Sequence, residues 1–250
     1  MSTANVRSIS SSMHYHVGIG CSFGTSDHNV HKLLAEKLDA TFINLSEGGI
    51  GNFRIYTELL YWIETNKDKL ENTTFSIGWS GIYRNDVIEN SNHKTFAFKW
   101  SRWRADRKDP TTLNLPKRMN IILDQRVRFL INVISTQKLL SSKECNYVMY
   151  NGIDTHVNRS IFDMHSSLKV KMLEKIVHTE RFFRFKDSHS TFVAKNKYFL
   201  DPTPYSLFQK IINWPTDDSQ YSVKDAHPSP EGDKKWAELV WQYIKENQLL

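Results

Sequence analysis

Three short segments hold the residues best suited to chemistry. Gly20-Cys21-Ser22-Phe23 puts a hydroxyl, with a thiol beside it, in a small-residue turn that runs on through Gly24-Thr25-Ser26. Gly48-Gly49-Ile50-Gly51-Asn52 offers backbone N–H groups in a glycine-rich turn. Asp225-Ala226-His227-Pro228 sets an imidazole two positions from a carboxylate. Acyl transfer asks for these parts. A serine hydroxyl is a weak nucleophile until an imidazole within hydrogen-bond reach takes its proton. A carboxylate then orients the imidazole and stabilises its charged form. Backbone amides aimed at the developing oxyanion supply much of the rate, and one lost donor costs about 10²–10³ in turnover. The expected roles are Ser22 as nucleophile, His227 as base, Asp225 as orienter, and the amides of Ser22 and Gly49 in the oxyanion hole.

Each residue also has a plainer role. A serine in a strand-to-helix turn is commonly a turn or cap residue, a free cysteine such as Cys21 is commonly a packing residue, and glycines commonly serve tight turns alone. His227 stands before Pro228 and a helix start, where it can act as a structural cap. Cys21 is also the alternative nucleophile, one residue from Ser22. Gly18-Ile19-Gly20-Cys21-Ser22-Phe23-Gly24 nearly reads as a dinucleotide fingerprint, but its third glycine comes one place late. That makes it weak evidence for a nucleotide cofactor.

The elements that must position these residues follow from the apolar spacing. His16 to Cys21 is a short apolar run entering the first turn and reads as a buried strand. Asp27 is placed to cap a helix carrying Val30, Leu33, Leu34 and Leu38 on one face. Thr41 to Leu45 reads as a second strand, and 52–65 as a helix with Ile55, Leu59, Trp62 and Ile63 on one face. Further strands are expected at Thr73 to Trp79 and Tyr147 to Tyr150, with helices over 119–140, 167–178 and 231–246. Phe182 to Phe185 or Thr191 to Ala194 is the expected source of one more strand. Strand–helix alternation with short loops implies βαβ units and a parallel sheet. In such a sheet, sites lie beyond the carboxyl ends of the strands, where the Gly20 and Gly48 segments and the turn Trp79-Ser80-Gly81 fall, with the Asp225 segment joining from the far end of the chain.

These segments, in this order, resemble the SGNH (GDSL-type) hydrolase superfamily over about residues 14–245. The first block resembles its Gly-Asp-Ser motif with Cys21 in place of the aspartate, Asn44 to Asn52 its glycine block, and Asp225 to Pro228 its Asp/His block before the C-terminal helix. The resemblance implies a flavodoxin-like three-layer α/β/α sandwich with a central parallel sheet. It also implies ester hydrolysis through a serine nucleophile without metal or cofactor, on a small acyl ester such as an O-acetyl group on a carbohydrate. The sequence departs from the family twice. Trp79 to Asp86 does not fit the family's Gly-x-Asn-Asp block, which leaves Asn52, Ser80 or Asn85 as the third oxyanion donor, with Asn52 preferred. Only Ala226 separates Asp225 from His227, where the family has two residues, and Lys224 stands at the family's aspartate position. A Ser-His dyad supported by a backbone carbonyl is the alternative to a triad, and a binding protein that has lost catalysis is the alternative function.

Composition and charge bound the rest. The chain has 250 residues, 40% hydrophobic and 24% charged, which excludes a disordered or low-complexity chain and fits one α/β domain over 1–250. Lys and Arg number 33 against 27 Asp and Glu, a formal charge of +6. Eight basic residues against Asp106 and Asp109 between Lys94 and Arg118 account for all of it. With Trp100 and Trp103 among its cations, this segment suits a basic insertion or lid on the substrate side, and Arg84 before it suits an anionic substrate group. The same mixture of aromatic and basic residues suits single-stranded nucleic acid, the third partner class. Residues 1–13 read as a flexible N-terminus without the apolar run of a signal peptide. Two cysteines give no disulfide framework and no run is long enough to span a membrane, so an intracellular protein is expected.

Overall fold

Side-chain alternation along the strands decides how the layers form. The computed structural model describes residues 13–82, 84–86, 88–89, 99–100, 103–104, 119–153, 168–184, 188–204 and 223–249. β1 (Tyr15–Gly20) and β3 (Thr73–Trp79) turn Val17, Ile19, Phe75, Ile77 and Trp79 to one side of a sheet. They meet α2 (Asn52–Thr65), α3 (Met119–Ser142) and α4 (Leu168–Ile176) there, through Ile55, Leu59, Leu130, Val133 and Val170. The intervening positions, His16, Gly18, Thr74 and Ser76, face the other side, under α1 (Val30–Lys37). The C-terminal helix, Pro230–Glu246, completes that layer with Trp236, Val240 and Ile244 against Val30, Leu34, Val148 and Tyr150. Full burial of each large aliphatic side chain is worth about 1.5–3 kcal/mol.

β2 (Thr41–Asn44), β8 (Asn146–Asn151) and β9 (Phe182–Phe183) complete a five-stranded parallel sheet in the order β2-β1-β3-β8-β9. This is the flavodoxin-like order, with its switch point between β1 and β3, where α/β sheets bind ligands. The α/β sandwich expected from the sequence is therefore observed. Between β3 and α3 the described pairs β4 (Arg84–Asn85) with β7 (Trp103–Arg104) and β5 (Ile88–Glu89) with β6 (Lys99–Trp100) lie in one antiparallel register. The rest of 94–118 lies outside the described residues, as do residues 1–12. No described helix is long and apolar enough to cross a membrane.

Three expectations change. Asn29, not Asp27, caps α1: its side-chain oxygen accepts from the Lys32 amide at 3.0 Å, the N3 position that a cap must serve. The fifth strand is Phe182–Phe183, while 191–194 lies inside α5 (His189–Asn196), which begins where the Ser188 hydroxyl accepts from the Thr191 amide. His227, expected only as a residue just before the last helix, lies on a strand: β10 (Phe199–Pro204) and β11 (Val223–Pro228) form an antiparallel ribbon whose register shifts between paired positions. The C-terminal helix, α6, starts at Pro230 with Ser229 as its cap.

Beyond His16, the α1 side of β1 carries only Gly18 and Gly20, and this lets a histidine lie against the backbone. A Cβ on Gly18 would sit 2.3 Å from Cβ of His31, and one on Gly24 3.0 Å from its Cδ2. His31 Nδ1 lies 2.7 Å from the Ser76 hydroxyl, which also meets His16 Nε2 at 2.8 Å, and His16 Nδ1 meets the Thr74 hydroxyl at 2.8 Å. The Tyr150 hydroxyl closes the network at 3.2 Å from His31 Nε2. A neutral imidazole has one N–H and one acceptor nitrogen, so Ser76 can donate to one ring and accept from the other. Burial lowers both imidazoles from 6.5 to about 3, which keeps them neutral.

Gly18→Ala should therefore overpack the α1–β1 contact. The expected loss is about 1–3 kcal/mol, read as a lower thermal midpoint by circular dichroism. An unchanged midpoint would contradict the close approach.

Candidate active site

Ser22 opens a single 3-10 turn, Ser22–Gly24, directly beyond β1. The Gly24 amide donates to the Cys21 carbonyl at 2.8 Å, and the Thr25 hydroxyl donates to the Ser22 carbonyl at 2.8 Å. Cys21 is 1% exposed and packs with the apolar layer of Val17 and Ile19. Ser22 is only half-buried. The thiol is thus a core group and the hydroxyl is the more accessible of the two.

The glycine turn is stitched to this loop. The Leu45 amide donates to the Gly18 carbonyl at 2.8 Å and the Glu47 amide to the Gly20 carbonyl at 3.2 Å, carrying the β1–β2 pairing past the strand ends. Asn44 joins the two blocks: its amide donates to the Gly24 carbonyl at 3.0 Å and its oxygen accepts from the Ser46 amide at 2.9 Å. Gly49 then adopts φ 85°, a left-handed conformation that costs glycine little and other residues more.

The end of β3 is tied in from the other side. Asn52, 5% exposed, donates to the Ser80 carbonyl at 3.0 Å and accepts from the Ser80 amide at 2.8 Å. Asp86 accepts from the Gly51 amide at 2.7 Å and the Arg54 amide at 2.9 Å, so its carboxylate occupies the N-terminus of α2. Burial raises the Asp86 carboxyl above its ordinary range, against the pull of those backbone amides. Ser80 is fully buried. The side chains of Asn85 and of Arg84, which pairs with Arg104 on β7, lie outside the described residues.

β11 packs against the Ser22–Gly24 turn. Its His227 is half-buried, with its ring 5.4 Å from that of Phe23, the residue after Ser22. Asp225 stands opposite Asp201 across the β10–β11 ribbon, and its side chain lies outside the described residues. The structure thus gathers the Ser22 turn, the Gly49 turn, Asn52 and His227 around the switch-point edge. Among the described residues no three His, Cys, Asp or Glu side chains converge to hold a metal ion.

Sequence reading missed a second polar group behind Phe23. Phe23 meets His189 edge-on at 5.5 Å, and His189 stacks on Trp236 at 5.2 Å and 11°. His189 Nε2 lies 3.5 Å from Asp233 Oδ1, and His28 Nε2 lies 3.4 Å from Asp233 Oδ2. The Ser26 hydroxyl lies beside the same carboxyl. Burial raises Asp233 from 3.8 to about 8 and lowers His189 to about 3, the latter offset in part by the Gly232 backbone. Only the general rule that a buried Asp needs partners could have flagged these residues in the sequence.

No protein-family profile and no curated protein matches the sequence. Among solved structures, the chain is similar to a psychrotrophic esterase, EstA, from Pseudoalteromonas sp., at 12% identity and a TM-score of 0.48, covering 92% of this chain and 97% of that one. It is similar to TesA at 13% identity and a TM-score of 0.43, covering 94% and 99%. It is also similar to an acetyl xylan esterase, AlAXEase, at 10% identity and a TM-score of 0.42, covering 92% and 99%.

The buried groups set a pH optimum for stability. His16, His31 and His189 stay neutral in the fold down to about pH 3, whereas in the unfolded chain they take up protons below 6.5. Each removes up to about 1.4 kcal/mol per pH unit as pH falls below 6.5. Asp233 works in the opposite sense, keeping its proton in the fold up to about 8 and contributing stability that disappears between 3.8 and 8. Three slopes against one below 6.5, and one alone above it, place the thermal midpoint's maximum near pH 6.5. A midpoint that is flat between pH 5 and 6.5 would contradict this.

Proposed function

We propose that this chain is a divergent SGNH-type hydrolase, a serine esterase or deacylase acting on a small acyl ester such as an O-acetyl group on a carbohydrate. The observation that carries the reading is the seating of the His227 strand on the Ser22 turn, with the imidazole against Phe23 at the switch point of the sheet. The order of the three sequence blocks and the left-handed Gly49 turn beside the Ser22 loop support it.

In this mechanism the His227 imidazole removes the Ser22 proton as the hydroxyl oxygen attacks the acyl carbonyl. The carbonyl oxygen becomes an oxyanion, met by the backbone amides of Ser22 and Gly49. Asn52 is assigned as the third donor. Its pairing with Ser80 uses one of its two amide N–H bonds, and the oxyanion role uses the other. The imidazolium returns its proton to the departing alcohol, leaving an acyl-serine, and water activated by His227 then releases the acid. Asp225, two positions before His227 on the same strand, is assigned to orient the imidazole. Arg84, beside the end of β3, is assigned to an anionic group of the substrate, and the 94–118 segment to a cover on that side.

The test is turnover of p-nitrophenyl acetate and butyrate by the wild type, Ser22→Ala, His227→Ala and Cys21→Ala. Ser22→Ala and His227→Ala should each lose about 10³-fold or more in kcat, while Cys21→Ala stays active. Equal turnover by all four proteins, or loss confined to Cys21→Ala, would contradict the assignment.

A further inference from the structure

Asp233 has a side chain that is 1% exposed and lies in the first turn of α6, six residues after His227. Three elements converge on its carboxyl. The loop from Ser22 to Asn29 contributes Ser26, whose hydroxyl lies beside the carboxyl, and His28, at 3.4 Å. α5 contributes His189 at 3.5 Å, its ring stacked on Trp236, and α6 contributes Asp233 itself. Tyr150 on β8 also feels its charge. From this point an unbroken line of contacts leads back to the site: His189 to Phe23 at 5.5 Å, and Phe23 to His227 at 5.4 Å.

Burying a carboxyl costs several kcal/mol unless its oxygens are partnered. A Leu at this position would fill similar space without that cost. What a polar group adds is a point of approach shared by two imidazoles, His28 of the loop after Ser22 at 3.4 Å and His189 of α5 at 3.5 Å.

We infer that Asp233 is a positioning residue, clamping the Ser22 loop through Ser26 and His28 onto the corner that carries His227 and so holding hydroxyl and imidazole in register. The inference rests on the reading of Ser22 and His227 as nucleophile and base. Misplacement of a reacting group by about 1 Å costs about 10²-fold in rate, so the clamp acts on kcat rather than on ester binding.

The experiment compares wild type, Asp233→Asn and Asp233→Leu by thermal melting, by kcat and KM on p-nitrophenyl acetate, and by amide hydrogen exchange across residues 22–28. Asp233→Leu should lose about 10²-fold in kcat with KM within about threefold. It should also speed exchange in the 22–28 loop by about tenfold or more while β1 and β3 stay protected. Asp233→Asn keeps one donor and one acceptor and should recover most of both. Should Asp233→Leu fail to fold, the Ser26→Ala/His28→Ala double variant removes the loop's half of the contact and should show the same losses. Wild-type exchange in the loop of Asp233→Leu, or of the double variant in its place, overturns the clamp. Loosening of the loop in a protein whose wild type turns over no ester supports the clamp and removes the esterase reading. Turnover by the wild type with no loosening removes the clamp alone.

Discussion

The packing of His31 against the bare backbone of β1 is the constraint on which the rest of the site depends. Gly18 and Gly24 leave room for no side chain between helix α1 and the strand end, and His31 fills that space with a ring tied to Ser76 and Tyr150. One polar side chain thereby sets how far α1 stands from the sheet, and with it the course of the loop between Ser22 and Asn29. A buried network of this kind is stabilising only when every member is satisfied. Here two imidazoles, two hydroxyls and a phenol complete one another across β1, β3, β8 and α1. The opposite face of the same strands is apolar and needs no such matching.

On that base, the functional edge is assembled by side chains that bond to backbone. Asn44 joins the Ser22 loop to the glycine turn, Asn52 joins α2 to the end of β3, and Asp86 seats the first turn of α2. These bonds tie the segments at that edge to one another and to the start of α2, which fits the need to hold donors still before charge develops. The salt bridge of Glu47 with Arg54 at 2.6 Å adds to the glycine turn, though its carboxylate is half in solvent and its contribution is correspondingly small.

The parallel sheet was legible because its determinants are local. Apolar alternation placed the strands within a residue or two, and Val30, Leu34, Ile55 and Leu59 announced their helices by spacing alone. The Ser22 turn and the glycine block were legible because small residues cluster where a chain must bend sharply. The β10–β11 ribbon was not, since Pro202, Pro204 and Pro228 and a shifting register break the period that marks a strand. The glycines of β1 read as a weak nucleotide fingerprint, whereas their use is to admit His31, a residue from a different element. Asp86, His189 and Asp233 carry no local signal for the roles they have; those roles exist only through partners far away in the sequence. The charge of +6 likewise gave no address for the whole protein, being confined to residues 94–118 beyond the strand whose end borders the site.

The central claim is that Ser22, activated by His227, is the nucleophile. Its most direct test is reaction of the folded protein with a fluorophosphonate, followed by mass spectrometry of the intact protein and its peptides. The account predicts one phosphonyl group on the peptide containing Ser22, formed at a rate that collapses in His227→Ala. Absence of labelling, or an adduct on Cys21 or on any other residue, would contradict it.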